Sequence, residues 1–197
     1  MSSDYTTLPD ELPEPVDDGA ADHLPGTAMP ALSLPATDGS RVALDEPRPG
    51  RTVLYVYPMT GVPGRPLPEG WNEIPGARGC TPESCGFRDH HAELVRAGAP
   101  NVFGLSGQSA DYQAEMAKRL ALPFPVLSDE SLQMAFLLAL PTFQIAGMRV
   151  YRRLTMIIVD AAIEHVFYPV FPPDRHAGEV LEWLLANPSP VGNRLRL

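Results

Sequence analysis

Cys80 and Cys85 are the only two cysteines of the chain, and they lie close together in the run Arg78-Gly79-Cys80-Thr81-Pro82-Glu83-Ser84-Cys85-Gly86-Phe87-Arg88-Asp89. The run reads as the start of a helix, with Thr81 suited to an N-cap and Pro82 to the first helical position. The helix is predicted over about Pro82 to Ala97, with Phe87, Ala92, Leu94 and Val95 on its apolar side and Gly98 near its end. Cys80 then precedes the first turn, where unpaired N–H groups and the positive end of the helix dipole favour a thiolate. Arg78 and Arg88 add positive charge nearby. The ionised thiol is the reactive form, so Cys80 is the better candidate nucleophile.

The spacing bears on the pair. A CxxC spacing would suggest a thioredoxin-type couple or half a zinc site; CxxxxC suggests neither. At a rise of about 1.5 Å per residue, the two Cα atoms are roughly 7 to 9 Å apart if the segment is helical. A disulfide needs Cα atoms within about 7 Å, so the bond requires the first turn to unwind. Two thiols held apart in one state and joined in another would make a redox cycle with a conformational step. The plainer alternative is a pair of buried structural cysteines. A structural zinc site normally needs four ligands, and no His or Cys completes a plausible set with these two.

The segment Cys80-Thr81-Pro82-Glu83-Ser84-Cys85-Gly86-Phe87-Arg88-Asp89 resembles the C-T-x-E-x-C-x-F-R-D signature of peroxiredoxins of the PrxQ, or bacterioferritin-comigratory, type. Other segments agree in order: the hairpin over 26–43, Thr52-Val53-Leu54-Tyr55-Val56-Tyr57-Pro58, Phe103-Gly104-Leu105-Ser106, Leu122-Pro123-Phe124-Pro125-Val126-Leu127-Ser128-Asp129, and the late hairpin from Arg153 to Asp160 and on to Phe167. The likeness covers about 26–187. It implies a thioredoxin-like α/β fold, with a central mixed β-sheet flanked by helices and an N-terminal β-hairpin. It implies a thiol peroxidase in which Cys80 is oxidised by a hydroperoxide and Cys85 resolves the sulfenic acid to an intramolecular disulfide. It further implies a thioredoxin-like reductant, no metal or organic cofactor, and a monomer or weak homodimer. An arginine on the late hairpin would stabilise the thiolate. Arg153 is preferred to its neighbour Arg152, which strand alternation sends to the opposite face.

The chain departs from the family pattern at one point. Peroxiredoxins carry P-x-x-x-T-x-x-C, whereas here Ala77 occupies the threonine position and an inserted stretch from Thr60 to Pro75 separates Pro58 from Cys80. Thr60 is the candidate to supply the missing hydroxyl by folding back. The departure keeps two other readings open: a disulfide or thiol-transfer oxidoreductase acting on a non-peroxide substrate, and a redox-responsive interaction protein.

The formal charge of −9 argues against nucleic acid as a partner. Much of that charge lies in residues 1–25, which are acidic, Pro-rich and without Lys or Arg, and which read as a disordered leader. Residues 26–187 read as one domain and 188–197 as a tail. The leader is not a signal peptide in pattern, and no apolar run is long enough for a bilayer, so neither export nor membrane contact is expected. A dithiol without an export signal suits a reducing cytoplasm.

The remaining pattern alternates strands and helices. Strands are expected at 31–34 and 41–44 around the Asp38-Gly39 turn, at 52–57, at 101–105 and, late in the chain, at 142–145, 150–159 and 162–167. Helices are expected over 109–120 behind Ser109, from a Ser128 cap to Leu138, and over 173–185. His90 and His91 read as surface residues, Glu83 as a support of the helix start, and Trp71 as a loop anchor rather than a lid. His165, Tyr168 and Phe171 read as packed residues of the late hairpin and its loop.

Overall fold

The computed structural model describes residues 5, 7–9 and 11–188; the remainder of the expected tail, 189–197, lies outside the described residues. The central sheet has five strands in the order β5-β4-β3-β8-β9. Its middle strand β3 (Thr52–Val56) runs parallel to β4 (Asn101–Ser106), which runs parallel to β5 (Val126–Ser128). On its other side β3 pairs antiparallel with β8 (Leu154–Val159), and β8 with β9 (Ala162–Phe167). The sheet is therefore mixed, as expected. The N-terminal hairpin forms as β1 (Ser33–Pro35) and β2 (Arg41–Ala43). Its turn closes as Asp38 Oδ1 accepts the Ser40 N–H at 3.0 Å, with Gly39 at φ +84°, a conformation that suits glycine.

Every residue of β3 is buried, so the strand needs a core on each face. Val53 and Tyr55 meet α1 (Cys80–Asp89), α3 (Ala110–Arg119) and α5 (His176–Ala186) through Phe87, Met116 and Val180. Leu54 and Val56 meet the opposite layer, which includes the hairpin residues Leu34 and Val42 and Met134 of α4 (Gln133–Leu137). Tyr55 stacks on Phe87 at 4.3 Å between centroids. This contact clamps α1, and with it both cysteines, to the centre of the sheet.

Several expectations shift on inspection. The helix expected from Pro82 starts earlier, at Cys80, behind Gly79 in the left-handed conformation (φ +105°). Thr81 is thus inside the helix rather than its cap. The helix also breaks at His90 into α1 and α2 (His91–Arg96). Ser109 does cap α3, accepting the Tyr112 N–H, but the N-cap of α4 is Leu132, and the Asp129 carboxylate, not Ser128, accepts the first N–H groups of the helix, Gln133 and Met134, at 2.9 and 2.8 Å. The strand expected over 150–159 is two strands, β7 (Met148–Tyr151) and β8, interrupted at Arg152 and Arg153. β7 pairs with β6 (Thr142–Ile145) in a separate two-stranded sheet.

The acidic segment expected as a disordered leader lies against the domain where it is described. Ala21 and Leu24 enter the core, and the Tyr168 hydroxyl donates to Asp18 at 2.8 Å. A few apolar residues spaced among the carboxylates are enough to anchor it. Among the described residues, no helix is long and apolar enough to cross a membrane.

Candidate active site

Cys80 is the first residue of α1, and its side chain is 3% exposed. Gly79 makes that placement possible. A Cβ there would come within 2.3 Å of Pro173 Cγ, and φ +105° is a conformation that side chains rarely adopt. The α1 N-terminus therefore directs its free N–H groups into a closed space beside the sulfur.

Arg153 completes the electrostatics. Its Nη2 lies 3.2 Å from Cys80 Sγ and also donates to the carbonyls of Arg78 at 3.2 Å and Ala77 at 3.4 Å. Its Nη1 pairs with Glu83 Oε2. All three side chains are buried. The break between β7 and β8 permits this: the chain leaves the strand pattern at 152–153 and turns the Arg153 guanidinium inward. Arg152 goes the other way, toward Asp18 and Tyr168. The preference for Arg153 thus agrees with the geometry around Cys80.

Glu83, read from sequence only as a helix support, is a member of this cluster. It sits one turn after Cys80, on the same side of α1. Burial pushes its carboxyl up to about 7 against the opposing pull of Arg153. Among the described residues, its Oε1 has no hydrogen-bond partner, and neither does Arg153 Nε. Burial likewise pushes the Cys80 thiol up, Arg153 draws it down, and the Glu83 charge pushes it up again. Two acids therefore face one cation. Removing the charge of either leaves more of the guanidinium's attraction to the other.

The inserted stretch folds back onto Cys80. Met59 lines the Cys80 cavity, its backbone N–H a weak influence that draws the thiol down, and Thr60, buried, lines the same cavity. The Thr60 hydroxyl lies 3.2 Å from Gln108 Oε1, which also accepts the Thr60 N–H at 2.8 Å. Gln108 Nε2 and the Tyr112 hydroxyl both donate to the Thr60 carbonyl, at 3.1 and 2.9 Å. The structure thus brings Thr60 to the cavity wall, with its hydroxyl turned to Gln108. Ala77, at the expected threonine position, is fully buried and packs with Trp71 and Val150. Gln108 escaped sequence reading because its partners are remote in the chain.

Cys85 is half-buried one turn further along α1, and both cysteines are free thiols. Arg88 is a hydrogen-bonding and charged neighbour that draws the Cys85 thiol down, while burial pushes it up more strongly. His90 pairs with Glu93 at 2.7 Å, and the His91 ring packs at 5.6 Å from that of Phe124, so neither serves the cysteines. Trp71 is buried against Phe143, as an anchor would be, but it also forms part of the Cys80 cavity wall. His165 stacks on Trp183 at 4.6 Å, away from the cluster.

Comparison with known proteins identifies the family and the fold. The Redoxin family pattern matches residues 24–181. Peroxiredoxin Bcp of Escherichia coli K12 is 31% identical over 168 residues, covering 81% of this chain and 94% of the relative. The chloroplastic peroxiredoxin Q of Oryza sativa subsp. japonica is 30% identical over 159 residues, covering 81% of this chain; the match spans 65% of the rice protein's length. Among solved structures, the peroxidoxin BcpB of Mycobacterium tuberculosis superposes with a TM-score of 0.67 at 26% identity, covering 85% of this chain and 100% of that one. A PrxQ of Xylella fastidiosa, at 20% identity and a TM-score of 0.66, covers 83% of this chain and 97% of its own and shares the thioredoxin-like fold. Its sequence, its sheet and the matched family together assign the chain to the Redoxin family, as a peroxiredoxin of the Q/Bcp type.

Proposed function

We propose that the protein is a thiol-dependent peroxidase that reduces hydroperoxides through Cys80 and Cys85. The observation that carries this reading is the Arg153 guanidinium, 3.2 Å from a cysteine sulfur at the start of a buried helix. The Cys80 thiolate attacks the distal oxygen of the hydroperoxide. An S–O bond forms, the O–O bond breaks, and two electrons pass from sulfur to the peroxide. The leaving oxygen takes a proton and departs as water or an alcohol. Arg153, the Met59 N–H and the helix terminus favour the anionic sulfur and polarise the bound peroxide. Thr60, on the same wall, contributes a hydroxyl to the peroxide oxygens in place of the one absent at Ala77 once that hydroxyl turns from Gln108 Oε1.

Cys85 then attacks the Cys80 sulfenic acid. The S–S bond forms and water leaves, which protects Cys80 from further oxidation. In an intact α1 the two Cα atoms are roughly 7 to 9 Å apart at about 1.5 Å rise per residue, beyond disulfide reach. The first turn must therefore open. A thioredoxin-like dithiol restores both thiols by exchange, in a reducing compartment such as the cytoplasm. The chemistry uses sulfur alone and proceeds within a monomer or a weak homodimer.

The test is mass spectrometry after one equivalent of hydrogen peroxide. Cys80→Ser is expected to abolish peroxide consumption. Cys85→Ser is expected to complete one turnover and leave a trappable sulfenic acid on Cys80. Peroxidase activity retained in Cys80→Ser, with sulfenic acid on Cys85, would reverse the assignment.

A further inference from the structure

Two parts of the chain stand outside the chemistry above: the N-terminal segment and the part of the insertion beyond Thr60, residues 61–75. They meet over Cys80. The Tyr5 side chain, 7% exposed, lies at the mouth of the cavity that holds Thr60 and Cys80. Its hydroxyl donates to the Arg65 carbonyl of the insertion. The Arg78 guanidinium sits 5.0 Å from its ring centroid. Its ring edge presses on Gly61, where a Cβ would come within 2.8 Å, so the insertion approaches the ring as closely as it does only because residue 61 is glycine. Further along, Leu8 packs at Gly79, where a Cβ would meet its Cδ2 at 2.9 Å. The N-terminal segment therefore crosses the start of α1.

The space left beside the sulfur is small. The cavity is about 10 Å³, room for roughly one water-sized molecule. Immediately outside it lies a groove of about 410 Å³. Tyr5, Leu67, Trp71 and Arg78 wall both spaces, so they form a partition between them. Trp71 is held by the core packing described above. Among the described residues Tyr5 is held by a hydrogen bond to Arg65, the Arg78 guanidinium over its ring and its contact with Gly61, and it is the part of the partition most readily withdrawn or removed.

We propose that Tyr5 is a specificity gate that sets the size of molecule able to reach Cys80. This rests on the peroxidase reading for its substrate class. With Tyr5 seated, hydrogen peroxide needs only a slight widening of the cavity, whereas a hydroperoxide bearing a bulky organic group has nowhere to place it. With the Tyr5 ring gone, cavity and groove merge and the organic group extends into the groove beside Leu67 and Trp71. The gate belongs to this chain's own N-terminal segment and insertion, and it gives both a shared role.

Two measurements on the full chain test the gate. The first is the ratio of kcat/KM for cumene hydroperoxide to that for hydrogen peroxide, in the unaltered protein, Tyr5→Ala and Tyr5→Phe. The ratio is expected to rise roughly tenfold or more in Tyr5→Ala, the scale on which apolar pockets discriminate between substrates. It is expected to rise much less in Tyr5→Phe, which keeps the ring. The second is the rate of Cys80 labelling by a fluorescein maleimide relative to iodoacetamide, in a Cys85→Ser background with and without Tyr5→Ala. That ratio is also expected to rise in Tyr5→Ala. Ratios unchanged by Tyr5→Ala in both measurements would overturn the gate. A labelling ratio that rises while no variant consumes any hydroperoxide would uphold the gate on Cys80 and overturn the peroxidase reading instead.

Discussion

Glu83→Gln probes the one guanidinium shared by two acids. Gln keeps the shape of the protonated carboxyl and an oxygen to accept from Arg153, but it cannot ionise. In the folded protein the carboxyl is raised from its ordinary 4.5 to about 7. The folded state therefore binds this proton more tightly than the unfolded chain does. The stability so gained is fully present below about pH 4.5 and is lost as pH rises through about 7. At about 1.4 kcal/mol per tenfold change in proton affinity, the loss across that window is about 3 kcal/mol. Glu83→Gln removes it. Denaturant unfolding of the reduced protein, at intervals from pH 4.5 to 8.5, should show the variant gaining about 3 kcal/mol on the unaltered protein as pH rises. The same substitution leaves Arg153 wholly to Cys80, so alkylation of Cys80 near pH 7, measured in a Cys85→Ser background, should become faster. A stability difference that stays flat with pH, together with unchanged alkylation, would refute the shared-cation argument.

Two further outcomes follow from the site. Thr60→Val should slow hydrogen peroxide reduction by roughly a hundredfold or more, since a positioned donor at developing charge has that order of effect, and at least tenfold more than Thr81→Val does; equal rates in a steady-state assay would remove the Thr60 hydroxyl from the reaction. Oxidation to the Cys80–Cys85 disulfide should lower amide hydrogen-exchange protection over about 80–86, because the bond cannot span an intact turn; a disulfide formed with protection unchanged there would contradict the opening step.

Much of the site was legible because it is local. The two thiols, the helix that carries them and the Asp38-Gly39 turn follow from neighbours in sequence, and Arg153 followed from the late-hairpin resemblance. What escaped depends on remote partners. Nothing near Glu83 in the chain indicates that it is buried, because its counter-charge arrives from the junction of β7 and β8. That junction was itself hidden: Val150 to Val159 reads as one apolar run, and only the inward turn of Arg153 divides it. The helix start was misplaced by two residues because the left-handed Gly79, tight against Pro173, allows α1 to begin at Cys80. In the N-terminal segment, averaged composition hides sparse anchors. Its carboxylates dominate the tally, yet Tyr5, Leu8, Ala21 and Leu24 decide where it lies.

The position of Trp71 equips the protein with an optical reporter of its own chemistry. The chain has two tryptophans. Trp71, 2% exposed, shares a wall with Cys80 and packs with Ala77, just before α1. Trp183 lies on α5, stacked on His165 with the Arg51 guanidinium 5.1 Å from its ring. If the proposed opening of α1 draws Ala77 from Trp71, water reaches one indole while the other serves as an internal standard. The emission of the unlabelled protein in a stopped-flow trace would then separate the proposed attack on the peroxide from the proposed joining of the two sulfurs.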